Sequence, residues 1–166
     1  MPDNQSNSGE GTLTLNSDLA ELERLRQFIE AFCARAALSE QFRDQLSVVL
    51  EELAVNAIKH GRCDPCAGAI QISLRLQGNQ LQIAFSDSGI PFNPLAIPPP
   101  NLGEDPGLRP VGGLGIYLVR CLMPEIRYER RNGRHCLFLS KPIEPEVEPS
   151  RQQGGTDADC HGDCPR

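Results

Sequence analysis

Apolar positions change their period along the chain, and these changes predict its helices and strands. Alternation over Thr12–Asn16 predicts a first strand. A helix capped by Ser17 or Asp18 should follow. A second helix should begin after the N-cap Ser39 and run to about Lys59. Helical spacing relates the apolar residues of both helices: Leu19, Leu22, Leu25, Phe28, Ile29 and Phe32, then Phe42, Leu46, Val49, Leu50, Leu53, Ala57 and Ile58.

Two hairpins are predicted in the second half of the chain. Alternating apolar segments flank Gly78-Asn79 and again Asn132-Gly133, and both dipeptides are typical of two-residue hairpin turns. Consecutive hairpins favour antiparallel pairing. We therefore expect an α/β (α+β) two-layer sandwich, with a mostly antiparallel mixed sheet and all helices on one face.

The chain is predicted to form a single domain between two polar tails. A length of 166 residues suits one domain. Residues 1–11 and 142–166 are expected to be disordered tails, and residues 12–141 to form the folded unit. Residues 94–111 are rich in Pro and Gly, which predicts a long loop of a length that is uncommon unless functional, as in a lid.

Charge and hydropathy argue against direct binding of nucleic acid and against a membrane span. The net charge of −6 gives the chain no electrostatic reason to bind DNA or RNA directly, since phosphate neutralisation needs clustered Lys and Arg. The first residues, MPDNQSNSGEG, lack the pattern of a secretory signal. No stretch approaches the ~20 apolar residues that cross a bilayer. We expect a cytoplasmic protein without membrane contact.

The seven cysteines fall into two groups. Three lie in apolar helix or strand patterns and are expected in the core: Cys33, Cys121 and Cys136. The other four form two close pairs, Cys63 with Cys66 and Cys160 with Cys164. Such pairs are either free thiols in loops or a zinc or redox site. Neither pair has a partner at zinc-finger spacing, which favours free thiols.

Three polar residues share one side of the second predicted helix. Glu52, Asn56 and His60 are spaced i, i+4 and i+8, whereas Glu51 and Lys59 point elsewhere. Carboxylate and carboxamide oxygens suit Mg²⁺, which usually shares its ligands with substrate phosphates. A Glu can also orient or deprotonate a nucleophile. The alternative is a solvated polar stripe on an amphipathic helix.

A second motif, Asp87-Ser88-Gly89, follows directly after an alternating strand. An Asp at a strand end can accept a hydrogen bond from an exocyclic amino group, and Gly89 lets the backbone approach a flat ligand. The same tripeptide is also common in plain turns.

A third motif, Gly112-Gly113-Leu114-Gly115, directly precedes a helix that is predicted from Ile116. Glycines at a helix N-terminus expose N–H groups that can bind phosphate. The motif is neither a dinucleotide fingerprint nor a P-loop, and the alternative is a glycine-rich turn.

Three segments resemble, in their order and spacing, the N, G1 and G2 boxes of GHKL ATP-binding domains. They are EELAVNAIKHG, FSDSGIPFNP and GGLGIYLVRCLM. The resemblance spans about residues 12–141. Within that superfamily the chain resembles the anti-sigma-factor serine/threonine kinases of bacterial partner-switching systems. It shares their Asp-x-Gly-x-x-Phe-x-Pro G1 box and a final hairpin ending at Ser140-Lys141, and it shows no upstream dimerisation helix with a phospho-accepting His.

The resemblance implies a role for each matched residue. Glu52 would be the general base, Asn56 would coordinate Mg²⁺ and His60 would close the N box near the nucleotide. Asp87 would bind the adenine amino group, with Gly89 beneath the base. The remaining nucleotide contacts would be Gly113, Leu114 and Gly115 around the phosphates and Arg109 of the predicted lid at the γ-phosphate.

The implied function is that of an ATP- and Mg²⁺-dependent kinase that phosphorylates a small anti-sigma-factor antagonist and thereby regulates transcription. A sigma factor or similar regulator would be the second partner. Members of the group commonly pair as homodimers, but no periodicity of this sequence identifies such an interface. One alternative is a catalytically silent ATP-binding protein that sequesters a sigma factor or another regulator. A weaker alternative, prompted by the paired cysteines, is a redox or zinc sensor on an ATP-binding scaffold.

Overall fold

The structure is a computed structural model, and it describes residues 9–61, 68–90, 93–96, 98–99 and 114–143. The described strands are β1 (Glu10–Leu15), β2 (Ile70–Gln77), β3 (Gln80–Asp87), β4 (Glu125–Arg131) and β5 (Arg134–Pro142). The helices are α1 (Leu22–Arg35), α2 (Glu40–His60) and α3 (Leu114–Leu122), with short 3₁₀ turns at Leu19–Glu21 and Pro94–Ala96.

The five strands form one sheet in the order β1-β2-β3-β5-β4, and every described pair is antiparallel. Alternate residues of β2, β3 and β5 are buried, and together with Leu15 of β1 and the buried residues of the three helices they form one hydrophobic core. The helices therefore cover one face of the sheet. The predicted two-layer sandwich with helices on a single face is confirmed.

Local signals start and separate the first two helices, as predicted. The Asp18 side chain accepts a hydrogen bond from the backbone N–H of Ala20 and caps the 3₁₀ turn that leads into α1. The Ser39 hydroxyl accepts from the N–H of Phe42 at 3.2 Å and caps α2. Between them Ala37 adopts a positive φ of 50°, which ends the first helix.

Both predicted hairpins are present. Gly78 has a φ of 59°, and Asn132 and Gly133 have φ values of 51° and 77°, the signs that tight hairpin turns require. The strands extend beyond the predicted bounds. β1 begins at Glu10, which pairs with Arg75 and forms an ion pair with it at 2.7 Å.

The three cysteines expected in the core differ in their burial. Cys33 is buried on α1, as predicted. The prediction is wrong for Cys121, which is exposed because α3 turns Ile116 and Val119 inward instead. A side-chain hydrogen bond with Cys121 raises the pKa of Tyr117 on that outer side.

The prediction is also wrong for Cys136, which is half-buried at an outward register position of β5 and lies outside the core. The paired cysteines of the sequence, at 63, 66, 160 and 164, lie outside the described residues. None of the described helices combines the length and apolar character that a membrane crossing requires.

Candidate functional site

The middle of α2 meets the beginning of α3. A Cβ atom built on Gly115 would lie 2.0 Å from a carboxylate oxygen of Glu52, far inside contact distance. Any side chain at this position would displace the Glu52 carboxylate, so glycine lets the carboxylate lie against the start of α3. The structure brings together the candidate base and a glycine of the third motif, which are distant in the sequence.

The end of α2 meets the turn that follows β3. The N–H of Ile90 donates to the carbonyl of Gly61, the cap of α2, at 2.7 Å. A Cβ on Gly89 would lie 2.8 Å from both the Cα and the carbonyl oxygen of Gly61. The N–H of Ser88 donates to the carbonyl of Ala69 at 3.1 Å. This turn is thus held by backbone contacts on both sides.

Asp87 is the last residue of β3 and orients that turn. One of its carboxylate oxygens, Oδ1, accepts from the N–H of Gly89 at 2.9 Å. A carboxylate has two oxygens with several acceptor positions. Asp87 can therefore hold its turn with one oxygen and accept a hydrogen bond from a ligand with the other.

The α2 helix connects these two regions. Glu52 and Gly61 are separated by about 13 Å along its axis. Asn56 is half-buried between them, and His60 is exposed at the last residue of the helix. Glu51 faces α1, where the Arg26 guanidinium binds its carboxylate through two hydrogen bonds of 3.1 and 2.8 Å. The predicted division of the helix faces is therefore observed for the glutamates.

Part of the predicted site lies outside the described residues, namely Arg109 and Gly113. Their placement stays a prediction. Leu114 is described as the first residue of α3 and its side chain is 51% exposed. An exposed helix start fits a role in which backbone N–H groups contact a ligand.

The sequence interpretation missed His135, a buried polar residue behind the turn. It lies opposite Asp87 in the β3–β5 register and is 5% exposed. Its Nε2 lies 3.1 Å from the carbonyl oxygen of Gly89, and its Nδ1 lies 2.7 Å from the Tyr128 hydroxyl. The available signal was its inward position in an alternating strand, in phase with Leu137.

Arg134, also missed, ties three backbone segments together at the same end of the sheet. Its guanidinium donates to the carbonyls of Gly68 and Ala69 at 3.2 and 3.0 Å and to the carbonyl of Ser86 at 3.2 Å. A further bond of 3.3 Å reaches the Ser86 hydroxyl. These bonds hold the start of β2 against the end of β3, and so help to fix the turn that follows β3.

The chain belongs to the histidine kinase-like ATPase domain family, whose sequence profile matches residues 15–141. The predicted membership of the GHKL superfamily is thereby confirmed, and the family is one of ATP-binding domains.

Known relatives include two protein kinases. The serine-protein kinase RsbW of Listeria innocua is 25% identical over 127 residues, covering 74% of this chain and 81% of the Listeria protein. The serine/threonine-protein kinase BtrW of Bordetella bronchiseptica is 26% identical over 119 residues, covering 72% and 84%. The chain is therefore a distant relative of these serine kinases, as the sequence motifs predicted.

A solved structure supports the fold. The RsbU and RsbW domains of a Mycobacterium tuberculosis protein superpose with a TM-score of 0.57 at 16% identity. The match covers 81% of this chain and 33% of the other.

Proposed function

We propose that this chain is an ATP- and Mg²⁺-dependent protein serine/threonine kinase and anti-sigma factor. Its substrate would be a small anti-sigma-factor antagonist in the cytoplasm, and its second partner a sigma factor or similar regulator. The contact between Glu52 and Gly115 is the observation that carries the proposal. This contact supports the proposal because the carboxylate that would act as base lies beside the helix start that would hold phosphate, in a chain related to serine kinases.

The residues present fit a nucleotide. Asp87 would accept a hydrogen bond from the adenine amino group through the oxygen that Gly89 does not use. A Cβ on Gly89 would overlap the backbone of Gly61, so glycine at this position lets the turn pack against the end of α2, beside the base that Asp87 would bind. The N-terminal turn of α3, with Gly113 before it, would donate N–H groups to the phosphates.

Mg²⁺ would be held by the Asn56 side-chain oxygen together with the phosphates. Among the described residues no group of three or more His, Cys, Asp or Glu could hold a metal ion. An Mg²⁺ site that shares its ligands with a nucleotide does not need such a group. His60 would border the nucleotide at the end of α2.

Glu52 would act on the hydroxyl of the protein substrate. Bound Mg·ATP supplies the phosphoryl group, and phosphoryl transfer relies mainly on positioning and charge stabilisation. The Glu52 carboxylate would accept the hydroxyl proton, which requires that the hydroxyl come within hydrogen-bond distance of it. Arg109 would stabilise negative charge at the γ-phosphate.

Calorimetry of ATP binding, with and without Mg²⁺, tests the nucleotide site. Wild type should bind ATP, Asp87→Asn should lose affinity and Asn56→Ala should lose the dependence on Mg²⁺. Leu137→Val, a buried change outside the site, is the control and should bind normally. Failure of wild type to bind ATP would contradict the proposal.

Turnover separates the kinase from the alternative function. Wild type mixed with Mg·ATP and a candidate antagonist protein should transfer phosphate to a serine or threonine. Binding of ATP and of a sigma factor or other regulator, without transfer to any antagonist, would instead support a catalytically silent binder.

A further inference from the structure

Buried His135 and half-buried Tyr128 of the β4–β5 hairpin form a hydrogen-bonded chain that reaches the turn after β3. The imidazole of His135 lies between the carbonyl of Gly89 and the hydroxyl of Tyr128, at 3.1 and 2.7 Å. The two rings are stacked, with centroids 5.8 Å apart and planes inclined by 20°. Stacking and hydrogen bonding together fix the plane of the imidazole.

The chemistry of the partners sets the proton positions. A carbonyl oxygen can only accept a hydrogen bond, so Nε2 of His135 carries a proton and donates to Gly89. In the neutral ring Nδ1 then has a lone pair and accepts from the hydroxyl of Tyr128. The Gly89 carbonyl therefore sets the tautomer, and the Tyr128 hydroxyl, which can donate or accept, donates to the Nδ1 that remains and helps to hold the ring in place.

Both polar backbone groups of Gly89 are fixed in this way. Its N–H donates to Asp87 Oδ1 at 2.9 Å, and its carbonyl accepts from His135. Asp87 and His135 are also direct neighbours in the strand register. The orientation of the Asp87 carboxylate is thus coupled to the imidazole through one glycine.

We propose that His135, hydrogen-bonded to Tyr128 behind it, is a positioning residue that holds the turn after β3 where Asp87 distinguishes adenine from other bases. The inference rests on the proposed function, in which Asp87 binds the adenine amino group. The next inward positions of β5 hold the apolar Leu137 and Leu139, so the imidazole departs from the pattern of its own strand. A buried imidazole is costly unless it is hydrogen-bonded, and one of its two bonds is to the turn.

The test compares ATP with ITP, in which a carbonyl oxygen replaces the amino group that Asp87 would bind. Dissociation constants of both Mg²⁺ complexes are measured by calorimetry on the full chain. The variants are His135→Ala, His135→Gln and Tyr128→Phe, with Leu137→Val as a control on the same face of the same strand. Thermal denaturation and binding stoichiometry report the folded fraction of each variant.

Wild type should prefer ATP to ITP, and His135→Ala should reduce that preference roughly tenfold, chiefly by weakening ATP binding. His135→Gln should restore most of it, because its amide nitrogen can donate to the Gly89 carbonyl from a similar position. Tyr128→Phe should reduce the preference by a few-fold, since Nδ1 of the imidazole loses the hydrogen bond that helps to hold the ring. Leu137→Val should lower the melting temperature and leave the preference unchanged.

Three results would overturn the inference. The preference could survive in His135→Ala, or His135→Ala could lose both nucleotides equally, or His135→Gln could behave like His135→Ala. In these cases wild type still binds ATP, and the proposed function stands. Absence of ATP binding by wild type would overturn the proposed function and this inference together.

Discussion

Glu52 and Glu51 are adjacent glutamates with different surroundings, which makes them a matched pair for testing the base. Glu52→Gln should lower the rate of phosphoryl transfer by about 10² to 10⁴, the range in which general bases contribute, and should leave ATP affinity nearly unchanged. Glu51→Gln should retain transfer, because its carboxylate faces Arg26 on α1. Phosphate incorporation into the antagonist measures both. Normal transfer by Glu52→Gln would exclude this residue as the base.

Cys33 makes stability depend on pH at the alkaline end. Burial raises the pKa of its thiol from 9.0 to about 11, with a smaller opposing effect of Arg43. Below pH 9 the thiol is protonated in both the folded and the unfolded state. Between about pH 9 and 11 the unfolded thiol loses its proton while the folded one keeps it, so stability falls as pH rises.

The expected loss is of the order of 2 kcal/mol, and Cys33→Ala should abolish it. Denaturant unfolding of both proteins from pH 7 to 11 measures the difference, in which the titration of all other groups cancels. A difference in unfolding free energy that stays constant over this range would show that Cys33 does not titrate as described.

The sequence alone names the candidate site residues whose signal is local, and their roles stay predictions. Glu52 and Asn56 were identified by helical spacing, and Asp87 and Gly89 by their position after a strand. His135 could not be identified in that way, because its role depends on β5 lying beside β3 rather than on its neighbours in the sequence. The prediction for Cys121 was wrong for a related reason, since the tertiary contacts of α3 decide which side faces inward.

At the level of secondary structure, a substitution at the contact between α2 and α3 should lower activity without lowering stability. Gly115→Ala introduces a Cβ that would overlap the Glu52 carboxylate. The overlapping atoms are the far end of a flexible side chain, so Glu52 can turn away at little cost. Alanine also favours a helix over glycine by up to about 1 kcal/mol. The variant should be at least as stable as wild type and yet transfer phosphate more than about tenfold more slowly.

Thermal denaturation and the transfer assay, run on the same sample of Gly115→Ala, test this expectation. If the variant is stable and transfers phosphate at the wild-type rate, the position of Glu52 against α3 does not matter for the reaction. A strongly lowered melting temperature would show instead that the helix contact is rigid.

Secondary-structure elements were predictable wherever a cap or a turn marks them. Ser39 begins α2 as expected, and Asn132-Gly133 forms the final hairpin turn. The start of β1 was set two residues too late, because Glu10 is ordered by its pairing with Arg75 on β2. The position of β5 between β3 and β4 is likewise a long-range property that alternating residues do not encode.

On the scale of the whole molecule, one core joins the regions that would bind the nucleotide, so binding should stabilise the entire domain. A ligand that binds only the folded state adds RT ln(1 + [L]/Kd) to the unfolding free energy, about 2.7 kcal/mol at 100 Kd. Thermal denaturation with increasing Mg·ATP should therefore show a rising melting temperature. Asp87→Asn should lose this increase at the same concentrations, because it loses the adenine contact.

Leu137→Val distinguishes a damaged site from a weakened fold in the same experiment. It removes buried volume from β5, which lowers the unfolding free energy of the free protein by about 1 kcal/mol and so lowers its melting temperature. Since it touches no proposed nucleotide contact, the increase with Mg·ATP should remain complete. An equal increase in Asp87→Asn and wild type would mean that ATP stabilises the domain from a place other than the turn after β3.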